Sequence, residues 1–303
     1  MSLIRRPLNL YLRLTEKPHM MRAKTPDALR KPFEAKARIF FHPPRGTGYV
    51  RGDVAGVPVT WAMARNVTES DGPLILYFHG GGYIFGSPAT HRAMLARLSS
   101  YSGLPACLPD YRKAPEHPFP AAIEDALTVY RAVMDRPGGV ILGGDSAGGG
   151  IALALLADIQ RLGLVPPLGC FALSPLTDLT FSGASVARNA DREVILPAAR
   201  TDELVQMYLQ GGEPEDPRAS PLWASFAGAP PVWLCAGDTE ILLDDARRMA
   251  EALRAQGVAV TEVIEHDLPH VWPLFQTLLP EARATLRDIA GWIRSLSPPT
   301  GGS

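Results

Sequence analysis

Cysteine is scarce. Cys107, Cys170 and Cys235 each sit in an apolar run that reads as a strand. An odd number without paired spacing excludes a disulfide framework and predicts reduced core thiols in a cytoplasmic protein. No Cys/His cluster has zinc spacing, so no metal is expected. Net charge is scarce too: 30 Lys and Arg against 31 Asp and Glu leave −1, which predicts no basic face for nucleic acid. Long apolar runs are missing, and no stretch approaches a membrane span. Arg5-Arg6 is followed by no continuous apolar region, because Arg13, Glu16 and Lys17 interrupt it, so neither a signal peptide nor a twin-arginine leader is expected. No internal repeat is visible. The remaining balance, 46% hydrophobic and 20% charged, is that of a globular chain of a size that open α/β domains reach undivided.

What is present is organised around residues 140–150, Val-Ile-Leu-Gly-Gly-Asp-Ser-Ala-Gly-Gly-Gly. A buried strand is predicted at 140–142 and a helix at 151–161, stopped by Gly163. Between them Gly144-Asp145-Ser146-Ala147-Gly148 fits Gly-x-Ser-x-Gly, and strand, tight turn and helix are the context of a nucleophile elbow. The turn strains the serine backbone and tolerates only small neighbours. A phosphate cradle would need a lysine after the glycines, and none follows.

Around this centre, strands are predicted at 74–78, 106–108, 170–173, 232–236 and 258–264, with two extended segments within 50–65. Helices are predicted at 87–101, 121–134, 244–256 and 280–296, followed by a polar tail at 297–303. The alternation predicts a largely parallel sheet with helices on both faces. In residues 1–45, Pro7, Pro18, Pro26 and Pro32 punctuate short helical patterns at 8–14 and 27–31. This segment reads as a lid, and residues 176–222, with one helix at 197–210, as a second lid insert.

A serine hydroxyl needs a base. On sheets with this elbow the order is serine, acid, histidine, and only His266 and His270 follow Ser146. His266 lies between Glu265 and Asp267 in a solvated turn. His270, between Pro269 and Val271-Trp272, has apolar surroundings and is the predicted base. The acid belongs after the 232–236 strand. Asp244 reads as a helix N-cap and Asp245 as a first-turn residue, which leaves Asp238 and Glu240. Either carboxylate can hold an imidazole in one tautomer.

His79-Gly80-Gly81-Gly82 has the composition of a loop whose N–H groups approach a ligand closely, and it matches the HGGG loop that supplies oxyanion donors in esterases. The predicted oxyanion site is Gly80, Gly81, Gly82 and Ala147, with Gly80 shaping the loop and the other three donating.

With these residues, the chain resembles the hormone-sensitive-lipase-like esterases, bacterial family IV, of the α/β-hydrolase fold. The resemblance rests on His79-Gly80-Gly81-Gly82-Tyr83, the 110–120 stretch ending Pro-Glu-His-Pro-Phe-Pro, residues 143–149, Ser174-Pro175 and Pro269-His270-Val271. It implies a mostly parallel eight-stranded sheet flanked by helices, under a helical cap built from residues 1–45 and 176–222. It implies a carboxylesterase acting on short-to-medium acyl esters without a cofactor, with Ser146 as nucleophile, His270 as base and an acid from an Asp-Pro-Leu-x-Asp motif. Here that stretch is Glu240-Ile241-Leu242-Leu243-Asp244, which places Glu240 at the acid position. Tyr83, Phe85, Met207 and Tyr208 are expected to line the acyl pocket. A homodimer through a sheet edge is compatible with the resemblance. A non-catalytic binding protein on this scaffold would be expected to lose the base, which is present. An amidase or thioesterase would keep the same residues.

Overall fold

The computed structural model describes residues 2–68 and 72–296. The expected tail at 297–303 lies outside them. Among the described residues, eight strands form one sheet: β1 Gly48–Val54, β2 Val57–Met63, β3 Leu74–Phe78, β4 Ala106–Pro109, β5 Val140–Asp145, β6 Gly169–Leu173, β7 Val232–Gly237 and β8 Val260–Glu265. Their order is β1-β2-β4-β3-β5-β6-β7-β8, with β1 antiparallel to β2, β2 antiparallel to β4, and the remaining pairs parallel. The helices are α1 Arg5–Arg22, α2 Pro26–Phe40, α3 Pro88–Ser102, α4 Ala121–Val133, α5 Ala147–Leu162, α6 Ser185–Arg188, α7 Thr201–Leu209, α8 Leu243–Ala255 and α9 Pro280–Ser295.

Strand alternation sorts the core into two layers. Leu74, Leu76 and Phe78 of β3 pack with α4, α5 and α8, while Ile75 and Tyr77 pack with α3, α9 and Leu8 and Leu12 of α1. Strands β3, β5, β6 and β7 are buried throughout, as parallel strands covered on both faces must be. Each leucine or isoleucine so buried stabilises by roughly 1.5–3 kcal/mol relative to exposure. The three cysteines lie buried in β4, β6 and β7, and none is in a disulfide. Among the described residues no helix is long and apolar enough to cross a membrane.

The structure differs from expectation at the N-terminus. In place of short pieces, α1 and α2 are long helices that run through Pro18 and Pro32. An interior proline costs about 3 kcal/mol, and tertiary anchors offset it. Asn9 donates to Asp267 O at 2.9 Å, and Lys17 Nζ donates to Ala190 O at 2.6 Å and Glu193 O at 2.8 Å. In α2, Arg30 pairs with both oxygens of Glu116 at 2.7 Å and donates to Ala114 O at 3.0 Å. The helix expected at 197–210 opens as a 3-10 turn, Ala198–Arg200, before α7. Asp244 is not an N-cap. The cap position of α8 is Leu242, and the Asp244 carboxylate turns to accept from Ser185 N at 2.8 Å and to meet Arg188 at 3.1 Å.

Candidate active site

Five strand ends on one side of the sheet carry the site. β5 runs directly into Ser146, which takes φ 53° and ψ −124°, and α5 begins at the next residue. That conformation is strained for a side-chain-bearing residue. The surrounding glycines are required by space: a Cβ on Gly144 would lie 2.1 Å from Gly148 O, and one on Gly148 would lie 2.1 Å from Phe78 O. The hydroxyl therefore stands at the α5 N-terminus, where free N–H groups and the helix dipole favour negative charge.

His270 follows β8, and Glu240 follows β7. The His270 Nδ1 lies 2.7 Å from Glu240 Oε2, and its Nε2 lies 2.9 Å from Ser146 Oγ. A carboxylate only accepts, so it fixes the ring proton on Nδ1 and leaves Nε2 to accept from the serine. All three residues are buried. Burial pulls the His270 pKa down, but the hydrogen bond and charge of Glu240, with Glu193 and Asp145 behind, outweigh it and hold the imidazole above its ordinary 6.5.

Asp238, the other candidate acid, points elsewhere. It accepts from His266 Nδ1 at 2.7 Å and from Asp267 N at 2.8 Å, and His266 is exposed as a turn residue should be.

The loop after β3 brings its glycines over Ser146. Gly80 N–H donates to Asp145 Oδ1 at 3.0 Å, which commits it to holding the loop. A Cβ there would lie 2.2 Å from Asp145 Oδ2, so only glycine fits. Gly81 takes φ 124° and Gly82 φ 58°. Among the described residues the N–H groups of Gly81, Gly82 and Ala147 have no protein acceptor, so they are available to an oxyanion.

Several contributing residues were not singled out from sequence. Ser174, at the end of β6, donates to Glu240 Oε1 at 2.7 Å and accepts from Val271 N at 3.2 Å. The proline after it and its place in a family stretch were the available signal. Asp145 also accepts from Tyr77 OH at 2.8 Å and meets His91 Nε2 at 3.2 Å, and its place beside Ser146 could have marked it. Buried Glu193 accepts from Val194 N, Ile195 N and Ile241 N, tying the 193–195 segment to the loop that carries Glu240. Burial raises its pKa. No sequence signal marked it.

Ser146 and His270 open into a cleft of about 200 Å³. Phe85 and Met207 line it, with Met20, Leu29 and Phe33 from α1 and α2 and Leu204 from α7. Residues from 1–45 and 176–222 thus enclose the same space. Tyr83 and Tyr208 do not line it, against expectation. Tyr83 takes φ 62°, and its ring stacks on Tyr208 with centroids 3.7 Å apart and planes 4° from parallel, its hydroxyl close to Gly150 of α5. Both rings are buried in the core.

A mostly parallel eight-stranded sheet with a serine elbow, a histidine and a carboxylate at its strand ends defines an α/β hydrolase. The sequence pattern of the alpha/beta hydrolase fold family matches residues 75–274. The chain is 36% identical to an acetyl-hydrolase of Streptomyces hygroscopicus over 251 residues, 82% of this chain and 84% of that protein. It is 33% identical to an esterase of Acinetobacter venetianus over 279 residues, 89% of each. A crystal structure of an esterase from the bacterial hormone-sensitive lipase family superposes with a TM-score of 0.90 at 33% identity, covering 98% of this chain and 99% of that one. A structure of EstE5 soaked with p-nitrophenyl butyrate superposes with a TM-score of 0.90 at 34% identity, with the same coverage. The chain belongs to the hormone-sensitive-lipase-like esterases of the α/β-hydrolase fold.

Proposed function

We propose that this esterase hydrolyses short-to-medium acyl carboxylic esters through an acyl-enzyme on Ser146, under a cap formed by residues 1–45 and 176–222. The single observation that carries the reading is the line Ser146–His270–Glu240, with hydrogen bonds of 2.9 and 2.7 Å. Ser146 Oγ attacks the ester carbonyl carbon as its proton passes to His270 Nε2. Glu240 holds the resulting imidazolium in place and balances its charge. The carbonyl oxygen becomes an oxyanion, and the N–H groups of Gly81, Gly82 and Ala147 receive it. Losing one such donor costs roughly 3–4 kcal/mol of barrier. Collapse expels the alcohol, which takes the proton from His270. A water then repeats the sequence on the acyl-enzyme and frees the acid.

The apolar cleft above Ser146 supports an acyl group of modest length, as does the use of p-nitrophenyl butyrate with the similar EstE5 structure. The test is hydrolysis of p-nitrophenyl acetate, butyrate and longer esters, with Ser146→Ala as control. Burst release of nitrophenol and stoichiometric labelling of Ser146 by an organophosphate are expected. Purified protein inert to both reagents would overturn the reading.

A further inference from the structure

The near-zero net charge conceals a segregation. Residues 1–45 hold eleven Lys and Arg against three Asp and Glu, a net +8, while residues 46–303 hold nineteen against twenty-eight, a net −9. Within the basic segment Arg6, Arg13, Arg22, Lys24, Arg38 and Arg45 are exposed and form no ion pair among the described residues. The near-zero sum therefore hides a basic excess in this part of the chain.

The same segment holds eight of the thirteen exposed large hydrophobic side chains among the described residues, in about a seventh of the chain. In α1 they form a stripe. Pro7, Leu10, Leu14, Pro18 and Met21 follow steps of three and four, which keeps them on one helical face. That face lies opposite Leu8 and Leu12, which pack into the core. Leu10 is 58% exposed and Leu14 67%, and Leu3 ahead of the helix is 96% exposed. A helix with one apolar face buried and a second facing outward, flanked by arginines, lacks a partner for the second. Beside it, a second cavity of about 370 Å³ reaches the surface between Ile4, Tyr11 and Phe40. Glu16 and Lys36, ion-paired at 2.6 Å, line both this cavity and the cleft over Ser146.

We infer that the outer face of α1, with the adjoining end of α2, docks on an anionic lipid bilayer surface. Such a surface offers phosphates to the arginines and hydrocarbon to the leucines, while the second cavity can take an acyl chain. A second copy of the chain would set +8 against +8 across the contact. A nucleic-acid backbone would satisfy the arginines but leave Leu10 and Leu14 in water.

The test is co-sedimentation of the full chain with phosphatidylcholine vesicles, with and without phosphatidylglycerol. Binding is expected to be at least about tenfold stronger with the anionic lipid and to fall as salt rises. Leu10→Asp with Leu14→Asp, and separately Arg6→Glu with Arg38→Glu, should each weaken vesicle binding about tenfold. All four side chains lie outside the cleft lining, so soluble-ester hydrolysis and thermal midpoint should stay at wild-type values. Wild-type protein left in the supernatant at low salt overturns the inference, as does equal binding by the variants. So does a dimer, seen by light scattering, that Leu10→Asp with Leu14→Asp splits, or duplex DNA bound more tightly than vesicles.

Discussion

Ser174 Oγ donates to Glu240 Oε1 at 2.7 Å and accepts from Val271 N at 3.2 Å, so one hydroxyl ties the acid to the loop that carries His270. Its φ of 46° is a strained conformation that the neighbouring strands must hold. A hydrogen bond to a charged acceptor is worth about 1.5–3 kcal/mol. Ser174→Ala should therefore lower kcat about ten- to a hundredfold with KM little changed. Steady-state kinetics on p-nitrophenyl butyrate check this, and a variant with wild-type kcat would show that Gly237 N–H, at 2.6 Å from the same oxygen, suffices.

Glu240 and Asp238 make a contrast that geometry turns into numbers. Glu240→Ala removes the partner of His270 Nδ1 and frees the ring to take the wrong tautomer, so kcat should fall about ten-thousand-fold. Asp238→Ala removes a half-exposed pair with His266 and a turn contact with Asp267, so kcat should stay within about threefold of wild type, since exposed pairs contribute ~0–1 kcal/mol. The reverse ranking would reassign the acid.

The raised pKa of His270 sets the pH dependence of two quantities in opposite directions. The base must be neutral, so kcat/KM should fall as pH drops through a value above the ordinary 6.5. A group whose pKa is raised by folding contributes stability that is complete below its unfolded value and lost as pH rises through the folded one. Glu240→Gln removes the principal raising influence. It should move the acid limb of the residual activity to lower pH and lower the melting temperature more at acid than at alkaline pH. A pH–rate profile and melting curves on both sides of neutrality measure this.

What could be read from the residues alone was what local spacing decides. The strands at 74–78 and 232–236, the elbow at Ser146 and the helix between Ser87 and Gly103 are local, and each stands where expected. His270 was legible because chain order restricts where a base can fall; chain order left the acid between Asp238 and Glu240, and only the motif implied by the family resemblance pointed to Glu240. Pro18 and Pro32 read as helix ends because the ties of Asn9, Lys17 and Arg30 that hold α1 and α2 are long-range. Glu193 carried no signal because its partners at Ile241 are brought to it only by the fold. Tyr83 was misplaced because nothing in an aromatic residue announces a positive φ, and its ring stacks on Tyr208 in the core outside the cleft lining.

That correction separates four aromatic and sulfur side chains into two classes. Phe85 and Met207 line the cleft, so Phe85→Ala and Met207→Ala should move the preferred acyl chain to greater length. Tyr208 fills the core against Tyr83, and truncating a buried ring costs about 3–5 kcal/mol. Tyr208→Ala should lower thermal stability by that amount and leave the chain-length profile of the folded fraction unchanged. A series of p-nitrophenyl esters beside a denaturation curve distinguishes the two effects.

Asp145 bears on the oxyanion donors without touching them. Its Oδ1 holds Gly80 N–H and Tyr77 OH, while Oδ2 meets His91, so it fixes the loop from which Gly81 and Gly82 extend. Asp145→Ala leaves those buried groups without an acceptor and lets the loop drift, and loss of even one aligned donor costs about a hundredfold in kcat. Asp145→Asn keeps an oxygen for Gly80 and Tyr77. Its amide nitrogen then faces His91 Nε2, which can accept if the ring proton moves to Nδ1, beside Ser87 O and Thr90 Oγ1. The asparagine variant should therefore retain most of kcat where the alanine variant loses about a hundredfold, with KM nearly the same in both. Equal loss in the two would mean that the charge of Asp145, rather than its acceptor oxygen, supports the reaction.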